Sequence, residues 1–122
     1  MEKVLNIGGK EIKMKSTAGT MMRYRNQFNR DFIKDLMHLK DSMQNKNDYG
    51  TELDVLDLGI FEKIAWCMAK TADDNIPDIE HWLDDFDTFD IYTVLPEIMA
   101  LLVSNMEQIN AKKKTVEQPQ EQ

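Results

Sequence analysis

The sequence predicts a mainly α fold, a small helical domain of about four helices with a short N-terminal β-hairpin. Three observations predict it. Apolar residues recur every three or four positions over most of the chain, as they do on helix faces that pack on a core. Residues 3–15 alternate instead, and the pair Gly8-Gly9 divides the alternation. The length of 122 residues suits one domain with one continuous core.

The hairpin comes first. Val4, Leu5 and Ile7 precede Gly8-Gly9, and Ile12 and Met14 follow, interleaved with Lys10, Glu11, Lys13 and Lys15. The primed two-residue turns need positive φ at their central positions, which glycine supplies without strain. Ile12 and Met14 share one face and Lys13 and Lys15 the other, so the apolar face must lie against the rest of the domain.

Ser16 and Thr17 offer an N-cap for a long first helix. Met21, Tyr24, Phe28, Phe32, Leu36, Leu39 and Met43 form one stripe along it, widened by Met22, Ile33 and Met37. The polar run 44–50 ends it. Thr51 or Asp54 caps a second helix over about residues 53–71. Leu53, Leu56, Ile60, Ile64 and Met68 make its stripe, and Val55, Leu58, Phe61, Ala65, Trp66 and Ala69 cover much of the remaining surface. A helix apolar nearly all round belongs at the centre. Gly59 inside it costs about 1 kcal/mol relative to alanine unless a neighbour needs close approach.

Pro77 suits the first position of a third, short helix carrying Ile79, Trp82, Leu83 and Phe86, with Asp78 and Glu80 near its positive end. Asp87 or Thr88 caps the fourth, whose stripe is Ile91, Leu95, Ile98, Leu102, Met106 and Ile109. Pro96 either kinks this helix or opens a new one. Residues 1–110 thus form a single domain, and residues 111–122 read as a flexible charged tail.

Composition narrows the function. The chain is 42% hydrophobic and 30% charged, ordinary for a soluble protein. No apolar run reaches the length of a membrane span. The first residues, MEKVLNIGGKEIK, lack the apolar core of a signal peptide, so cytoplasmic residence is expected. The net charge of −7 is unevenly spread. Residues 1–50 hold ten basic and six acidic side chains (+4), residues 51–111 hold two and fourteen (−12), and the tail adds +1. Either the halves partly neutralise each other in the fold, or the asymmetry marks a self-complementary assembly or two surfaces with different partners.

The pattern contains no catalytic signature, and no enzyme activity, cofactor or metal is expected. Asp84, Asp85, Asp87 and Asp90 do not fit a calcium loop. Starting at Asp85 puts Asp90 where glycine is needed and Pro96 where a bidentate glutamate is needed. His38 and His81 lie on different helices with no HxxxH pairing, and the single cysteine, Cys67, rules out an internal disulfide or a cysteine zinc cluster. On the most buried helix Cys67 reads as a small hydrophobe. Arg23, Arg25, Arg30 and Lys34 could form the basic face of a small DNA-binding regulator, against which the sequence pI of 4.8 counts. Nucleic acid and membrane are therefore not expected partners.

Nine methionines remain to be accounted for. Most fill the core, but methionine also lines surfaces that accept varied apolar helices. Met22, Ile33 and Met37 lie off the first stripe, and Met99 and Val103 off the last, so these five make the candidate partner groove.

The whole layout resembles a known family. The residues that carry the likeness are Thr17-Ala18-Gly19-Thr20, Tyr24-Arg25-Asn26-Gln27-Phe28-Asn29-Arg30-Asp31, Ala65-Trp66-Cys67-Met68-Ala69-Lys70 and Trp82-Leu83-Asp84-Asp85-Phe86. Together with the leading hairpin and closing apolar helix, they resemble the tail assembly chaperones of long-tailed (siphovirus-type) phages and prophages of Gram-positive bacteria. The resemblance spans about residues 3–110. It implies a helical, non-enzymatic protein that binds the tape measure protein, keeps it soluble and helps recruit tail tube subunits. It further implies residence in the host bacterial cytoplasm and absence from the mature virion. A frameshift-extended form of the chain is implied as a partner, and a homo-oligomer would suit coating a long client. The run Lys112-Lys113-Lys114 fits either a solubilising tail or an A-rich slippery stretch, which the codons decide. Two alternatives stand beside this reading: another helical phage or host adaptor, and the DNA-binding regulator.

Overall fold

The computed structural model describes residues 2–44, 46–47, 50–51 and 54–102. Two strands, β1 (Glu2–Ile7) and β2 (Lys10–Lys15), are followed by α1 (Ala18–Phe28) and α2 (Phe32–Gln44). A minimal strand pair, β3 (Lys46–Asn47) and β4 (Gly50–Thr51), leads to α3 (Val55–Ala72) and α4 (Ile79–Asp84). A last helix, α5, covers 91–102 of the described residues. The fold is the helical domain with an N-terminal hairpin that the periodicity predicts. The tail, and with it Val103, Met106, Ile109 and the lysine run, lies outside the described residues.

The hairpin pairs antiparallel with Leu5 opposite Ile12 and Ile7 opposite Lys10. Its turn sits on Gly8 and Gly9 at φ of 58° and 84°, and the Asn6 side chain accepts the Gly9 N–H at 3.0 Å. Leu5, Ile7 and Met14 point inward and are buried, whereas Val4 on the other face is exposed. β2 lies on α3, and α1, α2 and α4 also contact α3, which makes it the hub that its all-round apolar pattern predicts.

The expected long first helix is two helices. Asn29 adopts the left-handed conformation (φ 55°, ψ 43°) and its N–H bonds the Arg25 carbonyl at 2.8 Å, closing α1. Asp31 then opens α2, its carboxylate accepting the Lys34 N–H at 3.0 Å. Asparagine tolerates the left-handed region better than other residues with a Cβ. The stripe survives the break because Phe28 and Phe32 each pack an edge against the Tyr24 ring, both at 5.4 Å between centroids. Four-residue spacing is therefore kept by an elbow instead of a helical turn.

The other boundaries follow local capping chemistry. Thr17 caps α1, and its N–H donates to the Thr20 hydroxyl at 3.0 Å. Asp54, rather than Thr51, caps α3. Its Oδ1 accepts the Asp57 N–H while Asp57 Oδ2 accepts the Asp54 N–H, each at 2.9 Å, a reciprocal box built from two aspartates. α4 is capped by Asp78, so Pro77 stands just before the helix and not at its first position. There the Pro77 carbonyl accepts the Trp66 indole N–H at 2.8 Å. α5 is capped by Asp90 and not by Asp87 or Thr88. The Asp90 carboxylate accepts the Tyr92 N–H at 3.0 Å and the Thr93 hydroxyl at 2.6 Å. The helix continues through Pro96.

The core joins the hairpin and the five helices. Phe28 meets Trp66 at 5.7 Å, and Phe61, Trp82, Phe86 and Phe89 form a ring cluster where α3 meets the α4–α5 connection. Cys67, Met68 and Ala69 are fully buried, and burial pushes the Cys67 thiol up to about 12. Leu56 and Leu58, on the first turn of α3, are exposed although the apolar pattern runs through them. Among the described residues no helix is long and apolar enough to cross a membrane.

Candidate functional site

The elbow at Asn29 folds α2 back on α1 and leaves a cleft between them of about 520 Å³. Ala18, Met21 and Met22 line one wall, Phe32 and Ile33 the other, and Arg25 stands at the rim. Met22 is 55% exposed and Ile33 38%, so both present apolar surface to solvent. Met37, also 38% exposed, lies one turn beyond Ile33 on the same face of α2. Three of the five residues picked from the sequence therefore lie on the α1–α2 surface, and two of them share its cleft.

Met99 does not join them. It is 7% exposed and packs in the core with Leu95, Ile98 and Leu102. α5 buries a wider face than one stripe, since Val94 and Leu101 are also covered, and the extra width takes in Met99. The Met99–Val103 half of the expected groove thus loses its described member, and Val103 falls outside the described residues.

A buried polar network fixes the angle of the elbow. Asp35, on α2, is 5% exposed and sits under the Arg30 guanidinium. Arg30 donates through Nε at 2.7 Å and through Nη2 at 2.9 Å, the two-point geometry a planar guanidinium favours. The Tyr24 hydroxyl donates to the same carboxylate from α1. Burial alone would raise the Asp35 carboxyl, but the hydrogen bonds from Arg30 and Tyr24, with the charge of Arg30, hold it below the usual value. Burial and the adjacent carboxylate push the Tyr24 phenol up, and the bond to Asp35 does the same for Arg30. Arg30 is thereby committed to the fold. Of the four basic residues considered for DNA, Arg25 and Lys34 are exposed, while Arg23 is partly covered and 3.9 Å from Asp74.

A second polar cluster joins α2 to the start of α3. His38 Nε2 is 2.8 Å from Asp57 Oδ1, and Asp54 lies beside them, with donor atoms of the three residues all within 4.8 Å of one another. Sequence spacing missed this group because its histidine and carboxylates are 16 and 19 positions apart and meet only when α2 packs on α3. Asp57 carried a signal all the same: a charged residue in the apolar first two turns of the helix, three positions from its cap. The acidic run Asp84, Asp85, Asp87 and Asp90 is exposed throughout, and Asp90 serves as a helix cap. His81 is exposed and paired with Asp78, whose hydrogen bond raises the imidazole.

No protein-family model, no curated protein and no solved structure matches the chain.

What the α1–α2 cleft can do chemically is hold an apolar segment. It is open, its apolar walls formed by Ala18, Met21, Met22, Phe32 and Ile33 and its polar edge by Arg25, Asn29, Arg30 and Asp31. Methionine side chains re-pack around differing partners at low strain, and Arg25 can meet an acidic flank by charge-assisted hydrogen bonds.

Proposed function

We propose that this protein is a tail assembly chaperone of a long-tailed phage or prophage. It binds apolar helical segments of the tape measure protein, keeps that protein soluble in the host bacterial cytoplasm, helps recruit tail tube subunits and leaves before the virion is complete. The observation that carries the reading is the α1–α2 cleft, where Met22 and Ile33, with Met37 one turn on, present contiguous apolar surface to solvent. A tape measure protein is a long helical chain whose apolar stripes are bare before assembly, and helix-in-groove capture is how such stripes are covered. The family resemblance of residues 3–110 supports the same reading. Commitment of Arg30 to Asp35 weighs against the DNA-binding alternative.

Co-expression with the tape measure protein encoded beside this chain tests the proposal. The client should be soluble with the chaperone and largely insoluble without it. A Met22→Asp, Ile33→Asp variant should lose most of that effect. Both side chains are partly exposed, Met22 at 55% and Ile33 at 38%, so each change should cost about 1 kcal/mol and leave the variant folded, which its circular dichroism and melting temperature check. A client equally soluble with the variant would count against the cleft, and one insoluble in every case against the chaperone role.

A further inference from the structure

We infer that His38, Asp54 and Asp57 form a binding site for a divalent transition-metal ion of the zinc type, tying α2 to the N-terminus of α3. This inference is independent of the proposed chaperone role.

The donor set is an imidazole nitrogen and two carboxylates, a mixture that suits zinc and its neighbours better than magnesium or calcium, which favour oxygen alone. The geometry points the same way. His38 Nε2 is covered by protein and makes no hydrogen bond among the described residues, although Asp57 Oδ1 is only 2.8 Å away. A proton on Nε2 is therefore not aimed at that oxygen. Such an offset is what two ligands of one ion show. Donors each about 2.05 Å from a metal and 2.8 Å apart subtend about 86° at it, and each lies about 47° off the other's bonding axis. That angle is near the right angle of an octahedral site. A tetrahedral site needs the pair to open by about half an ångström, which a ring 42% exposed has room to do.

The carboxylates are already positioned. Ser42 Oγ donates to Asp57 Oδ1 at 2.9 Å and the Asp54 N–H to Asp57 Oδ2 at 2.9 Å, so Asp57 is fixed from both sides. Asp54 Oδ1 accepts the Asp57 N–H, and Asp54 offers a carboxylate oxygen within 4.8 Å of the other two donors. Supporting hydrogen bonds of this kind orient ligands in metal sites. Three protein donors leave the remaining positions to water.

Calorimetric titration of the chelator-treated full chain with zinc chloride is the test. One zinc ion should bind per chain, and millimolar magnesium should not displace it. His38→Gln and Asp54→Asn should each weaken binding at least about tenfold with unchanged helical circular dichroism, because glutamine suits a helix and asparagine keeps the N-cap. His81→Gln should bind as the parent does. Long-range proton–nitrogen spectra of the parent supply a readout that needs no variant, since zinc should move the Nε2 resonance of His38 more than its Nδ1 resonance. A plain His38–Asp57 ion pair predicts no zinc binding. That result, or binding unaffected by His38→Gln, or a zinc-independent His38 spectrum, overturns the site.

Discussion

Asp35 shows how one side chain sets the shape of the candidate site. Its carboxylate is buried, takes two bonds from Arg30 and one from Tyr24, and so spans the elbow from α1 to α2. Asp35→Asn should destabilise the domain by about 1–3 kcal/mol, because it leaves the Tyr24 hydroxyl and the guanidinium poorly matched. Part of the guanidinium is exposed and can recover water, which keeps the loss below that of a wholly buried pair. The sign of the pH effect follows from the lowered carboxyl. A group whose folded value is depressed contributes stability that is fully present above its unfolded value and is lost as pH falls through the folded one. Urea unfolding at several pH values should therefore show a constant gap between parent and variant near neutrality. The gap should begin to close as pH drops below the ordinary aspartate value of 3.8.

At the scale of elements, α3 carries a replaceable weakness at Gly59. Among the described residues nothing lies within 4 Å of where a Cβ would stand, so no described neighbour needs the glycine there. Gly59→Ala should stabilise the domain by about 0.5–1 kcal/mol, through helix propensity and a less flexible unfolded chain. The urea midpoint should rise with an unchanged slope. Gly8 is the opposite case, since its positive φ and a Thr88 carbonyl oxygen 3.1 Å from the Cβ position both require glycine.

The same elements show what could be read in advance. The hairpin was legible because Gly8-Gly9 has few other uses between alternating runs, and α3 because apolar residues cover most of its circumference. The elbow was not, because the Phe28-to-Phe32 interval is one helical turn in either geometry. Only the short polar sequence Asn29-Arg30-Asp31 marks the stop and restart. Met22 and Ile33 could be picked as off-stripe residues. Met99 was misplaced because periodicity gives the direction of a buried face but not its breadth. His38 and Asp57 depend on how two helices pack, which no local pattern encodes.

Across the whole molecule, the segregated charge is partly settled within the fold. Lys3 pairs with Glu97, Arg23 approaches Asp74, and Lys10 Nζ donates to the Asp85 carbonyl. Each contact joins the basic N-terminal elements to the acidic C-terminal ones. Exposed pairs of this kind contribute little stability singly; here they link the hairpin to α5 and the end of α4, and α1 to the α3–α4 connection. The α1–α2 surface, with Arg25 and Lys34 exposed, keeps its positive charge beside the apolar cleft.

The position of Cys67 gives the molecule a built-in clock. It is the chain's one thiol, it lies fully buried on the central helix, and its proton is held to about pH 12. A thiol reagent reaches it only when the hub itself separates from its neighbours, because Cys67 is fully covered in the fold. With reagent slow relative to reclosing, the labelling rate equals the opening equilibrium constant times the rate for a free thiol, so the ratio of the two rates reads the free energy of opening. That value should match the free energy of global unfolding from urea, and it should rise with Gly59→Ala and fall with Asp35→Asn. Faster labelling than urea predicts would reveal a local opening that exposes α3 while the rest of the domain stays folded.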